Sequence, residues 1–99
     1  MREIEFKNWL SNRGVKKKVQ YDIVSRVKKV EKELCSNDID QQYKNDKCES
    51  IMRSFSNKGI NPNMPKEAIN KLPVGKYHIS TYKYAVKYYL MFYDELNKS

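Results

Sequence analysis

Residues 16–34 read KKKVQYDIVSRVKKVEKEL. Lysine crowds this stretch, yet Val19, Ile23, Val27, Val30 and Leu34 recur through it at steps of four, four, three and four. That is the period of an α-helix and not the alternation of a strand. β-Branched residues lower helix propensity slightly, but burial of one apolar stripe outweighs that loss. The stretch predicts a helix over about 16–35, with Val19, Ile23, Val27, Val30 and Leu34 turned to a core.

The flanking sequence supplies partners for that stripe. Upstream, residues 2–13 (REIEFKNWLSNR) place Ile4, Phe6, Trp9 and Leu10 on one apolar face of a short helix, and Gly14 is a natural stop. Downstream, Ser36, Asn37 and Asp38 offer caps for a third helix over about 38–56, with Ile39, Tyr43, Cys48, Ile51, Met52 and Phe55 as a weaker stripe. Asp38, Asp40, Asp46 and Glu49 make this the acidic part of the chain. Residues 56–76 (SNKGINPNMPKEAINKLPVGK) hold all three prolines and two of the three glycines. They predict a long connection over 57–77, with one helical turn around Lys66 to Asn70. Residues 80–96 (STYKYAVKYYLMFYDEL) form the clearest helix, over about 78–96, capped by Ser80 or Thr81. Its apolar arc is Ile79, Tyr82, Val86, Tyr89, Leu90, Tyr93 and Leu96. The expected fold class is all-α: one domain over 1–99, built as a compact bundle of four main helices.

Size and composition narrow the function. A chain of 99 residues with 39% hydrophobic and 12% aromatic residues has material for one small core and little room for a deep active site. The net charge of +8 points to polyanions, with nucleic acid first and acidic protein or a membrane surface next. A codon bias toward A and T would produce the same lysine excess, so placement has to decide. Cys35 and Cys48 form neither a CxxC pair nor a disulfide framework and read as reduced thiols. No apolar run approaches the roughly 18 residues of a membrane span, and the N-terminus lacks the pattern of a signal peptide. A cytoplasmic protein with no membrane partner is expected.

The placement of the lysines is regular. At about 100° per residue, Lys17, Tyr21, Lys28 and Lys32 fall beside the apolar stripe of the second helix. Lys18, Ser25 and Lys29 lie almost opposite it. Arg13 to Lys32 holds eight basic residues against Asp22 and Glu31, a local excess of six. On the last helix Lys76, Ser80, Lys83, Tyr84 and Lys87 share a face away from the apolar arc. Cations interleaved with hydroxyls suit a phosphate backbone, where lysine supplies charge and Ser or Tyr supplies directed hydrogen bonds. An ordinary solvated helix face would also be rich in lysine. Two such faces, with the acids segregated on a third helix, favour the phosphate reading.

Several of these residues carry a resemblance. Gly14, the lysines Lys16 to Lys18, Tyr21 and Arg26, followed late in the chain by Ser80, Thr81, Tyr82, Ala85, Tyr89 and Phe92, resemble the N-terminal SAM-like, core-binding domain of tyrosine recombinases (phage integrases). The resemblance spans nearly the whole chain and rests on helix order and residue types. It implies a helical bundle that grips DNA with its second and fourth helices, in a phage or mobile-element protein. The second helix here starts with lysines where that family often has Thr or Ser. The catalytic recombinase domain has no counterpart in this chain, so no catalytic residue is carried over.

No constellation for catalysis is visible. His78 is the lone histidine and reads as a cap or surface residue. One His and two separated Cys make no zinc set, and residues 44–50 (KNDKCES) lack the spacing of a calcium loop. No phosphate-cradling glycine motif occurs. The expectation is a protein that is not an enzyme and uses no metal or cofactor. It would bind DNA, duplex in preference to single strand, through Lys16, Lys17, Lys18, Tyr21, Ser25, Lys28, Lys29 and Lys32 on one line and Lys76, Ser80, Lys83, Tyr84 and Lys87 on another. The alternative is a small phage-type interaction module that binds and inhibits a nucleic-acid enzyme through Tyr84, Tyr88 and Met91. Those three, isolated among lysines, favour nucleic acid; joined into one exposed patch, they favour a protein partner.

Overall fold

The computed structural model describes residues 1–35 and 38–98; Ser36 and Asn37, where the first two of the expected caps fall, and Ser99 lie outside the described residues. Among the described residues the α-helices are α1 (Glu3–Asn12), α2 (Lys17–Leu34), α3 (Ile39–Asp46), α4 (Glu49–Ser54), α5 (Lys66–Ile69) and α6 (Ser80–Lys98), and no strand forms. The all-α expectation therefore holds. α2 and α6 are the longest helices and pack most extensively on each other, and α1 rests on both.

On α1, Phe6 and Leu10 are fully buried, but Ile4 is 77% exposed. Ile4 was expected to share their face. Residues two apart stand about 200° apart on a helix, so Ile4 and Phe6 cannot both reach the core. Gly14, at φ +81, ends the helix in the left-handed conformation, and the Val15 N–H returns to the Leu10 carbonyl at 3.1 Å.

On α2 the stripe is displaced. Ile23, Val24, Val27 and Val30 are buried, whereas Val19 is 45% exposed. The cause is α1, which packs along the flank carrying Val24, Lys28 and Glu31. Glu3 pairs with Lys28 at 2.7 Å, and the Met1 amine pairs with Glu31 at 3.1 Å. Val19 stands about 140° from Val24, on the side that this packing turns outward.

The expected third helix, 38–56, is two helices. Lys47 and Cys48 adopt the left-handed conformation (φ 57 and 61) and separate α3 from α4. In a continuous helix Ile39 and Cys48, nine residues apart, would point to opposite sides. The break lets both become fully buried, and the Cys48 thiol donates to the Ile39 carbonyl at 3.7 Å. Asp38 caps α3 by accepting the Gln41 N–H at 2.8 Å, and Asp46 accepts the Ser50 N–H at 3.1 Å in the first turn of α4.

The connection 57–77 is more ordered than its composition suggests. Its helical turn is α5, close to where it was expected. It also sends Met64, Ala68 and Leu72 into the core. Ser56–Gly59 is a tight turn in which Asn57, Lys58 and Gly59 are all left-handed. A 3₁₀ turn at Tyr77–Ile79 leads directly into α6. For that reason Ser80 and Thr81 do not cap the helix as expected. Their hydroxyls instead donate to the Tyr77 and His78 carbonyls at 3.0 and 2.7 Å.

Along α6 the buried residues are Ala85, Val86, Tyr89, Phe92 and Tyr93, with Tyr82, Leu90 and Leu96 partly covered. Phe6, Tyr89 and Phe92 form an aromatic centre with ring centroids 4.9 to 5.4 Å apart. Cys35 and Cys48 are free thiols. Among the described residues no helix is long and apolar enough to cross a membrane.

Two expectations test this packing. Val24→Ala should cost about 2 kcal/mol, from two lost methyl groups and the space they leave, while Val19→Ala should stay within about 0.5 kcal/mol. Chemical denaturation of both variants reads the difference, and equal effects would place Val19 back in the core. Lys47→Gly should stabilise the chain by about 1 kcal/mol by removing the Cβ clash of a left-handed residue. A thermal melt below that of the parent would contradict a strained helix end.

Candidate functional site

The exposed face of α2 is built by the displacement just described. Lys17, Lys18, Tyr21, Ser25, Lys28 and Lys32 are exposed, and Lys29 is half-buried. Tyr21 is 70% exposed, with no core role. Lys16 precedes the helix in extended conformation, and no side chain caps the first turn. The Gln20 side-chain amide donates to the Val15 carbonyl at 2.7 Å, and no side chain at the cap position accepts from the first N–H groups of α2. No acidic residue stands in that turn.

Lys28 differs from its neighbours. Its ammonium lies 2.7 Å from Glu3, whose other oxygen lies 3.1 Å from Lys7. Hydrogen bonding from Lys28, and then from Lys7, holds the Glu3 carboxyl below the usual range. The pair fixes α1 on α2 and places one carboxylate beside Tyr21 and Ser25, around a depression of about 180 Å³. Among the described residues Lys16, Lys17, Lys18, Lys29 and Lys32 make no ion pair.

The α6 face divides into two depressions. Tyr84, Lys87, Tyr88 and Met91 line one of about 520 Å³ together with Arg13 from the end of α1. The Lys87 ammonium stands 5.5 Å from the centre of the Tyr84 ring, a cation–π contact. Arg13 stacks 4.6 Å from the Trp9 ring centre and lies 3.8 Å from Glu95, which also accepts the Trp9 indole N–H. Tyr84, Tyr88 and Met91 are therefore joined in one concave surface, with two cations at its rim. Ser80 and Lys83 line the second depression, of about 300 Å³, together with Lys58 and Tyr77. Lys76 is exposed beside Tyr77. Lys58 and Tyr77 escaped the sequence reading because they lie in a segment with no periodicity to assign them a side.

The two basic faces do not merge. Most of each face lies away from the core side of its own helix, and the core sides of α2 and α6 pack against each other. The faces therefore look outward on different sides of the globule. α1 borders both, touching Lys28 through Glu3 and Glu95 through Trp9 and Arg13.

His78 is exposed, its ring meeting Tyr77 edge-on at 5.8 Å. Among the described residues no cluster of three or more His, Cys, Asp or Glu side chains is placed to hold a metal ion. Burial pushes the thiols of Cys35 and Cys48 up to about 12, helped by Glu31 at Cys35 and by Cys35 itself at Cys48. Both are protonated at neutral pH and are weak nucleophiles. No protein-family model, characterised protein or solved structure matches the chain.

The thiols make a pH prediction. A thiol whose folded pKa is raised favours folding only while it is protonated in both states. The contribution is complete below the unfolded value near 9 and is lost as pH rises toward 12. The thiols' share of the stability should be constant from neutral pH to about pH 8 and fall above about pH 9. In the native state near pH 8 Cys48 should resist alkylation, and denaturant should release it. Rapid native labelling of Cys48 would contradict its burial.

Proposed function

We propose that the chain is a non-catalytic DNA-binding module that docks the exposed face of α2 on the phosphate backbone of a duplex. The observation that carries this reading is the first turn of α2, where Lys16, Lys17 and Lys18 stand exposed with no acidic residue and no side-chain cap. Cations at a helix N-terminus oppose the macrodipole, at about 0.3–1 kcal/mol each. Stability alone would favour Asp or Glu there. A phosphate beside this turn offsets the penalty and finds open N–H groups as well as lysines.

Farther along the same face Tyr21 and Ser25 offer hydroxyls, and Lys32 extends the positive line toward the C-terminal end. Backbone contacts of this kind position a protein on DNA without reading its sequence. Among the described residues no face rich in Arg or Asn is present for bidentate contact with base edges, so sequence preference is modest. The resemblance to the SAM-like, core-binding domain of tyrosine recombinases supports the same reading, since its second helix lies next to the duplex. On this reading the bundle has the SAM-like fold of that domain, and the chain comes from a phage or mobile-element protein.

A second reading is favoured by one observation. Tyr84, Tyr88 and Met91 share a concave surface with Arg13 and Lys87. An interaction module that inhibits a nucleic-acid enzyme would present such a patch to a partner with acidic and apolar groups.

The test is fluorescence anisotropy with a labelled random duplex over a range of salt. Affinity should be micromolar or better at low salt, with log K falling steeply as log salt rises. Lys17→Glu, Lys18→Glu and Lys32→Glu should each weaken binding and lower the slope by about one unit or more. Lys28→Glu is a poor probe, because it sets a second carboxylate against Glu3. Absence of duplex binding at low salt would end the DNA reading and leave the partner-protein reading.

A further inference from the structure

The second basic face contains a small site that shares no lining residue with the α2 face. Its floor and walls come from three segments that are distant in sequence. Ser56–Gly59 supplies Ser56 and Lys58, the 3₁₀ turn supplies Tyr77, and α6 supplies Ser80 and Lys83. No carboxylate lines it, whereas the depressions around Glu3 and around Asp46 each contain one. Tyr77 is 81% exposed, the highest value among the large hydrophobic side chains that reach the surface.

The backbone holds these groups in place. Asn57, Lys58 and Gly59 are consecutively left-handed. The Gly75 N–H donates to the Lys58 carbonyl at 2.8 Å, which ties the turn to the residue before Lys76. The Asn61 amide donates to the Ser54 and Ser56 carbonyls at 3.1 and 2.6 Å and closes the other end. Gly59 is buried so closely against the 3₁₀ turn that a Cβ on it would lie 2.9 Å from Ile79 Cδ1 and 3.2 Å from Met64 Cε. A side chain at position 59 would have to hold the left-handed conformation (φ +85) and make the ends of Ile79 and Met64 give way.

We infer that this depression is a nucleotide subsite for single-stranded nucleic acid: Lys58 and Lys83 hold a backbone phosphate, and the adjoining base stacks on Tyr77. The chemistry is that of single-strand binding, in which cations track the backbone and an exposed aromatic ring takes an unpaired base. A paired base is stacked within its duplex and cannot offer a face to Tyr77. The inference rests on the nucleic-acid reading and deepens it. The α2 face takes duplex backbone, and the α6 side takes a strand that has left the duplex.

The test uses the full chain, ¹⁵N-labelled, titrated with a short 5′-phosphorylated oligothymidylate, and in a separate arm with inorganic phosphate. The amides of Asn57, Lys58, Gly59 and Tyr77 should shift with the oligonucleotide. Tyr77→Ala and Lys58→Glu change exposed side chains and should leave the fold intact. Each should weaken oligothymidylate binding about tenfold or more, with duplex affinity unchanged. If inorganic phosphate reproduces the shifts and competes as well as the oligonucleotide, the site is an anion pocket and the stacked base is wrong. If the oligonucleotide shifts α2 or the Arg13–Tyr88–Met91 surface, and Tyr77→Ala has no effect, the subsite is wrong while the DNA reading stands. The same conclusion follows if duplex binds and the oligonucleotide does not. If neither nucleic acid binds at low salt, the DNA reading fails and the subsite fails with it.

Discussion

Tyr89 is the residue on which the arrangement of the helices depends. Its ring is fully buried between Phe6 of α1 and Phe92 and Tyr93 of its own helix. A hydroxyl carried that deep costs free energy unless it is hydrogen-bonded. It accepts the Arg2 N–H at 2.9 Å, ahead of α1, and donates to the Asp40 carboxylate in the first turn of α3. Burial and the Asp40 contact hold the phenol firmly in its protonated form. One side chain thus ties three helices together. The Met1 amine and the Ile39 N–H both bond to Glu31, so α2 joins the same network.

That network accounts for the break between α3 and α4. Asp40 has to reach Tyr89 while Ile39 and Cys48 both enter the core. A straight helix cannot meet all three demands, and the left-handed pair at Lys47 and Cys48 resolves them. The cost of two strained residues, about 1–2 kcal/mol each, is offset by burial of Cys48, Ile51 and Phe55 beyond the break. The turn at Ser56–Gly59 repeats the device where the chain reverses against Ile79. Here the conformation falls on Asn and Gly, which tolerate it, and on one lysine.

Charge follows a different logic from packing. Glu3 and Lys28, Trp9 and Glu95, and Tyr43 and Asp94 are placed where helices meet, and they orient one element on another. The lysines at the start of α2 and around Lys58 and Lys83 do no such work. They stand without ion-pair partners among the described residues and, on α2, against the helix dipole. Surface lysines that help neither packing nor the dipole are the feature from which a polyanionic ligand is inferred. Because α2 and α6 are packed core to core, their free faces diverge.

The helical class, the existence of α1, α2 and α6, and the exposure of most of the lysine faces were legible in the sequence. Each is set by local periodicity: a residue's angle on its own helix follows from its number. What the sequence could not supply was which flank of each helix meets a neighbour. Val19 and Val24 are both valines near one stripe, and only the seating of α1 buries one and exposes the other. Nothing near Lys47 marks a helix end, because its left-handed turn is imposed by burial of residues nine positions apart. Lys58 and Tyr77 lie in a segment without periodicity, and they meet Lys83 only because Gly59 allows close approach to Ile79. Residue types and spacing determine what each element can do by itself. The meeting of distant elements, governed by buried hydroxyls, carboxylates and the room for a Cβ, was decided by the tertiary structure alone.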